Sequence, residues 1–407
     1  MSGDVRMRGF GRRTSVAEAQ ALIAQRLRPL GVERVPFRQA LGRILAEELL
    51  AEQNVPAHPR SAMDGYAVRA QDLPGKLRVI GQILAAQTFE GRLGDHQAVR
   101  IMTGGKIPEG ADAVVMVEEA KVEGDEVHFS RPAELRQHIL ETGCDLTRGA
   151  VVLSRGRRIR PQDLSLLATI GALEVPVQKR PVVRIVPSGT ELIPPGRRPT
   201  GTEIVESNSF LLEALVRRDG GRPELHPIIG DSPEVLRQAL SAPGADLVVV
   251  TGGSSVGQED FAPVIARELG ELPIHGIQVK PASPTGIGFT PHSALLLAPG
   301  YPVATFVAWD LFGRPMLERL GGAPSRWPYR RQTAVLSEAL KKPADRVDIV
   351  RVLLEPDPSG GPARARPIPG GASLLSTVTR ADGFVLFEAG AEVLPAGTKV
   401  EVDLYEP

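Results

Sequence analysis

Asp246 to Phe261 reads DLVVVTGGSSVGQEDF. The apolar run has the length of a buried strand; two glycines and two serines then turn the chain toward two carboxylates and the helix-like segment DFAPVIARELG. A strand entering a helix through such a turn is half of a parallel crossover unit. Working outward, strand-like VVRIVP, ELHPII, IHGIQV and ALLLAP alternate between Pro181 and Leu320 with helix-like NSFLLEALVRR, SPEVLRQAL and VATFVAWDLFGRPMLERL. This order predicts a three-layer αβ sandwich of parallel strands with helices on both faces. Ligands of such sheets gather where the strands end.

The flanks have a different texture. Ser15 and Glu18 form a capping box for a helix whose apolar stripe is Val16, Ala19, Leu22, Ile23, Leu27 and Leu30. From Asn54 to Leu140 short β-like runs (LRVIGQIL, AVRIM, DAVVMVEE, EVHFS) are separated by Gly- and Pro-bearing turns. A strand, a Pro-started helix and another strand follow. The last 80 or so residues return to β signals, and KVEVDLY sets Val400, Val402 and Leu404 against Lys399, Glu401 and Asp403. PDPSGGPARARPIPGG reads as a loop. The expected organisation is multidomain α/β plus β. A discontinuous helical domain (1–52 and 142–177) carries an inserted, mostly β module (53–141); the αβ domain (178–325) and a small C-terminal β barrel (326–407) follow.

Composition excludes several classes. Forty-eight basic residues balance forty-eight acidic ones, so no overall field recruits nucleic acid or an anionic membrane. The single cysteine, Cys144, rules out an intrachain disulfide framework, fits a reducing cytosol, and reads as a buried, inert thiol. The N-terminal arginines have no apolar segment behind them, which argues against an export signal. Residues 281–309 lack Asp, Glu, Lys and Arg, but five prolines and three glycines break the run into strand, turn and helix pieces rather than a membrane span.

The chemistry concentrates at the strand ends. Gly252, Gly253, Ser254 and Ser255 offer backbone N–H groups and hydroxyls to an anion, in the outline of a phosphate cradle. The loop has neither a Walker ending nor GxGxxG order. Glu259 and Asp260 beside it call for a cation, and Mg²⁺ with oxygen ligands is the common solution; helix capping is the alternative for each carboxylate. Glu191, Asp231, Lys280 and Pro299 follow other strands, and a wholly parallel sheet would bring them to one edge. In the β module, Asp64 precedes a Gly turn and Thr103 opens a Thr-Gly-Gly turn.

In order, SAMDGYAV, TGGKIPEGADAVVMVEE, SGTEL, GGSSVGQEDF, VKPASP and PGYPVA resemble the molybdopterin molybdenumtransferases, the MoeA and gephyrin E-domain family. The resemblance spans nearly the whole chain. It implies a molybdopterin-binding-like αβ domain and a cytoplasmic enzyme that inserts molybdate-derived metal into adenylylated molybdopterin with Mg²⁺, releasing AMP. It also implies a homodimer whose active site lies between subunits, with a molybdopterin adenylyltransferase and recipient molybdoenzymes as partners. Carried over by motif, Asp64 and Thr103 would face the site of the second subunit. Glu191, Asp231 and Asp260 would form an acidic rim that holds metal, joined by Asp145 of GCDLTRGA. Lys280 would act in catalysis and in binding. Gly252, Gly253, Ser254 and Ser255 would cradle the pterin phosphate; Ser283, Pro299 and Pro302 would line the pocket; Arg351 and Ser376 would contribute from the C-terminal domain.

Three departures touch that site. SGTEL stands where TGDEL is frequent, KPASP where KPGKP is frequent, and PGYPVA where PGNPVS is frequent. A charge-assisted hydrogen bond contributes about 1.5–3 kcal/mol, so serine in place of the second lysine, at position 283, costs about one to two powers of ten in molybdate affinity. The same motifs admit a tungsten-specific insertase, a noncatalytic molybdopterin-binding scaffold, or adenylyltransferase-like nucleotide chemistry.

Overall fold

A computed structural model describes residues 13–84, 87–230, 232–253, 260–358 and 360–405. The chain forms two compact units, one of Glu47–Arg155 with Pro161–Leu173, the other of the remaining residues. Among the described residues no helix is long and apolar enough to cross a membrane.

Helix α1 (Val16–Arg26) begins with the capping box: Ser15 Oγ accepts from Glu18 N at 3.2 Å and Glu18 Oε2 from Ser15 N at 2.9 Å. Its Ala19 and Ile23, with Leu27 just beyond, are buried in the core of the αβ sandwich. The smaller unit is built on a six-stranded sheet in the order Ala113–Met116, Gly65–Val68, Gln97–Ile101, Gly75–Ile83, Glu126–Phe129, Ala120–Glu123. Both faces are covered. Tyr66 and Val68 join one apolar cluster while Ala67 joins another, as the strand's period of two requires. Helix α2 (Pro161–Thr169) belongs to the same unit.

In the larger unit, strands Arg222–Leu225, Val182–Pro187, Leu247–Thr251 and Ala294–Ala298 run parallel, followed by Gly286–Phe289 and Glu271–His275. Alternation assigns the layers: Val183, Ile185, Leu247 and Val249 pack with α3 (Asn208–Asp219), α6 (Pro302–Ala308) and α7 (Arg314–Leu320). Val186, Val248 and Val250 pack on the other face with α4 (Pro233–Ser241) and α5 (Ala262–Leu269).

The sheet is not wholly parallel. Gly286–Phe289 runs antiparallel to both neighbours, because only the Thr290–Ser293 turn joins it to Ala294–Ala298 and a crossover helix needs far more chain. The run IHGIQV also divides. Glu271–His275 stays in the sheet; after Gly276 at φ +97°, Val279–Lys280 pairs instead with Val347–Asp348. Lys280 therefore lies on a strand of the C-terminal sheet.

That sheet closes on itself. Val347–Glu355 pairs with Arg364–Pro367 and with Gly383–Phe387, and Arg330–Leu336 and Lys399–Leu404 complete a five-stranded ring, which removes exposed edges. Two sequence expectations change here. Arg364–Pro367 is a strand rather than loop, with Ala365 buried between exposed Arg364 and Arg366. Asp403 is buried, because Arg331 covers it with Nε at 3.0 Å. Helix α8 (Ser376–Arg380) precedes the Gly383 strand.

Candidate functional site

The ends of the parallel strands meet closely. Gly189 N donates to Ile229 O at 3.0 Å, Ser188 N to Thr251 O at 2.9 Å, and Gly252 N to Ala298 O at 3.3 Å. Gly252 has φ +86°, and a Cβ there would stand 2.1 Å from Ser188 O, so only glycine fits. Gly253 is also in the left-handed region, at φ +56°. The Asn208 amide at the start of α3 donates to Gly300 O at 2.7 Å, and Thr305 Oγ1 to Pro299 O at 2.6 Å, which fixes the turn after Ala298. Glu191 is exposed and folds back so that its carboxylate oxygens lie 2.6–2.7 Å from where a Gly189 Cβ would be. Asp260 is half-buried beside the start of α5. Asp231, Ser254 and Ser255 lie outside the described residues.

A cavity of about 630 Å³ gathers Lys280, Ser283, Pro299, Tyr301, Ala304 and Arg351. Pro302 opens α6 and Ser376 opens α8, and neither lines it. Lys280 is exposed, whereas the Arg351 side chain comes from a barrel strand and is only 5% exposed. Arg351 Nη2 donates to Gly370 O at 2.7 Å, and its Nε is buried without a partner among the described residues. Burial pulls its pKa below the usual arginine value. Ser283 Oγ is turned onto Ile277 O at 3.1 Å, and Ala282 holds φ +88°, a conformation more natural to glycine.

The cavity also exposes residues that motif reading missed. Arg346 Nε and Nη2 grip Asp348 at 2.6 and 3.1 Å on its wall. The only sequence signal for them was the i, i+2 spacing within RVD.

In the smaller unit Asp64 and Thr103 are brought together. Asp64 Oδ1 accepts from Thr103 N at 2.6 Å and from Thr103 Oγ1 at 2.9 Å, and these bonds, the backbone one first, hold the Asp64 pKa below the usual carboxylate value. Gly65 is obligatory, since a Cβ there would lie 2.0 Å from Val115 O. Both Asp64 and Thr103 are exposed. Asp145 is exposed too, with its N–H on Val55 O at 3.0 Å. Cys144 is exposed rather than buried, because it sits in a surface turn beside Gly143 at φ +72°. Among the described residues no three His, Cys, Asp or Glu side chains lie together in a metal-holding group.

Three family models cover successive parts of the chain: the MoeA N-terminal region (domain I and II) at residues 14–171, a probable molybdopterin binding domain at 184–319, and the MoeA C-terminal region (domain IV) at 333–405. The chain is 34% identical over 391 residues to the molybdopterin molybdenumtransferase of Bacillus subtilis, covering 91% of this chain and 89% of the relative. To that of Haemophilus influenzae it is 30% identical over 380 residues, covering 92% and 94%. The solved structure of the molybdopterin biosynthesis moeA protein of Pyrococcus horikoshii superposes with a TM-score of 0.81 at 30% identity, covering 97% of this chain and all of that one. Six ordered motifs, the αβ sandwich, the closed barrel and these likenesses agree, and the chain belongs to the molybdopterin molybdenumtransferases, transferases of molybdenum cofactor biosynthesis.

Proposed function

We propose that the chain inserts molybdate-derived metal into adenylylated molybdopterin and releases AMP. The observation that carries this reading is the cavity in which exposed Lys280 and nearly buried Arg351 converge, Arg351 with an N–H unused. A cation with one carbonyl acceptor and no carboxylate partner among the described residues is suited to a desolvated oxyanion. Lys280 and Arg351 would hold molybdate there and neutralise its charge. The turn at Gly252 and Gly253 would receive the pterin phosphate at the adjoining strand ends, with the Gly253 N–H as donor, since the Gly252 N–H is held by Ala298 O.

The chemistry of the donors suits magnesium: Glu191, which follows the strand Val182–Pro187, and Asp260, just before α5, would offer hard carboxylate oxygens. With Asp231 they would hold the ion, which would neutralise the pyrophosphate being cleaved. In a homodimer, Asp64 and Thr103 of the partner subunit would face this edge, their mutual hydrogen bonds keeping the carboxylate ionised. Catalysis on this reading is positioning and charge neutralisation rather than covalent participation by the protein.

Purified protein, adenylylated molybdopterin and Mg²⁺, supplied with molybdate or tungstate separately, tests the proposal. AMP release accompanied by reconstitution of an apo-molybdoenzyme is the expected outcome, and the oxyanion that supports it names the metal. Bound pterin nucleotide with neither product under both oxyanions would overturn it in favour of a binding protein.

A further inference from the structure

A second cavity, of about 690 Å³, shares no lining residue with the first. Its volume is in the range of small-molecule sites. Phe306, Tyr329 and Tyr405 wall it, with edge-to-face contacts of 5.6 Å between Phe306 and Tyr405 and 5.9 Å between Tyr329 and Tyr405. These contacts fix the rings in place.

The polar groups around it divide into spent and unspent. The Arg218 guanidinium is committed to Asp219 and Asp310 at 2.8–2.9 Å; Asp382, also in the lining, accepts the Leu354 N–H on Oδ2 at 2.6 Å but stays an exposed negative charge, from which a bound anion must be kept apart. Arg380, at the end of α8, is exposed and has no ion pair among the described residues. The Tyr405 hydroxyl makes no hydrogen bond to a described residue, although its ring is largely buried. Rigid aromatic walls and one unspent guanidinium, with the Asp382 carboxylate to one side, together describe a receptor for a flat ring whose negative group points toward Arg380.

We propose that this cavity is a second ligand site, which takes a planar aromatic anion with its ring against Tyr405 and Phe306 and its charged group on Arg380. The proposal is independent of molybdate insertion, which draws on none of these residues. The probe is 1-anilinonaphthalene-8-sulfonate, an aromatic ring system with a single anionic group, titrated into the full chain by fluorescence and by calorimetry.

The wild type should bind one equivalent saturably. Arg380→Glu, at an exposed position without an ion partner, should keep the melting temperature and weaken binding at least about tenfold, the loss of one charge-assisted hydrogen bond. Thr379→Trp, exposed at the cavity wall, should abolish binding by filling the space. Lys280→Ala, in the other cavity, should leave it unchanged. The proposal is overturned if the wild type shows no saturable binding, if Arg380→Glu binds the probe as the wild type does, or if Lys280→Ala removes binding. Should Thr379→Trp fail to fold, the Arg380→Glu and Lys280→Ala titrations still decide.

Discussion

Arg218 keeps an exposed face while Arg351 is only 5% exposed, and the charges around them are opposite too. Arg218 reaches Asp219 with Nε at 2.9 Å, Asp310 with Nη2 at 2.8 Å and the Tyr329 hydroxyl with Nη1 at 3.0 Å. Burial alone would lower its pKa, but the two carboxylates outweigh that and raise it. Trp309 Nε1 on Asp219 at 2.8 Å and Tyr329 Oη on Asp310 at 2.5 Å complete the network. Among the described residues Arg351 has a single carbonyl acceptor, and burial lowers its pKa. A cation that neutralises two buried carboxylates, as Arg218 does for Asp219 and Asp310, belongs to the architecture. One left without them is a place prepared for an anion, because an uncompensated buried charge is costly unless function retains it.

The same substitution at the two positions should therefore act in opposite ways. Arg218→Met leaves Asp219 and Asp310 buried with no cation, and should cost about 3–5 kcal/mol in urea unfolding. Arg351→Met removes a charge that the protein does not balance, so stability should hold or rise. Its cost should be in oxyanion binding instead, about one to two powers of ten in molybdate affinity by calorimetry, from losing a hydrogen bond of about 1.5–3 kcal/mol. Equal destabilisation by both variants would break the comparison, and so would undiminished molybdate binding by Arg351→Met.

How far the sequence reveals this contrast depends on how local each pattern is. The αβ sandwich was legible because its strands and helices each carry their own period, as in Leu247–Thr251 and the segments around it. The antiparallel Gly286–Phe289 strand was not, since its two glycines read as turn and the preceding VKPASP extended that impression. Arg364–Pro367 was hidden in the same way, with only Ala365 facing the barrel core among arginines and prolines. Within the site, Gly252 and Gly253 declared themselves through the strand-to-helix turn, whereas Arg351 was reached only through family resemblance. The Arg218 network and the second cavity draw on residues as far apart as 218, 306, 329, 380 and 405, which no periodicity connects.

A carboxylate extends the comparison to a charge that is satisfied yet exposed. Asp64 receives two hydrogen bonds from one residue, and its pKa is depressed although water reaches it. With the folded pKa below the unfolded value, its contribution to stability is complete above the unfolded pKa, near 4, and disappears as pH falls through the folded one. Thr103→Val keeps the backbone donor, the larger cause of the shift, and removes the hydroxyl. Carboxyl-carbon NMR titration should show the Asp64 pKa rising part of the way toward the ordinary aspartate value, with no change in the fold. A full return to the ordinary value would mean that the hydroxyl, not the Thr103 N–H, holds the carboxylate. An unchanged pKa would mean that the backbone alone does so, leaving the hydroxyl free to meet a substrate or a second subunit.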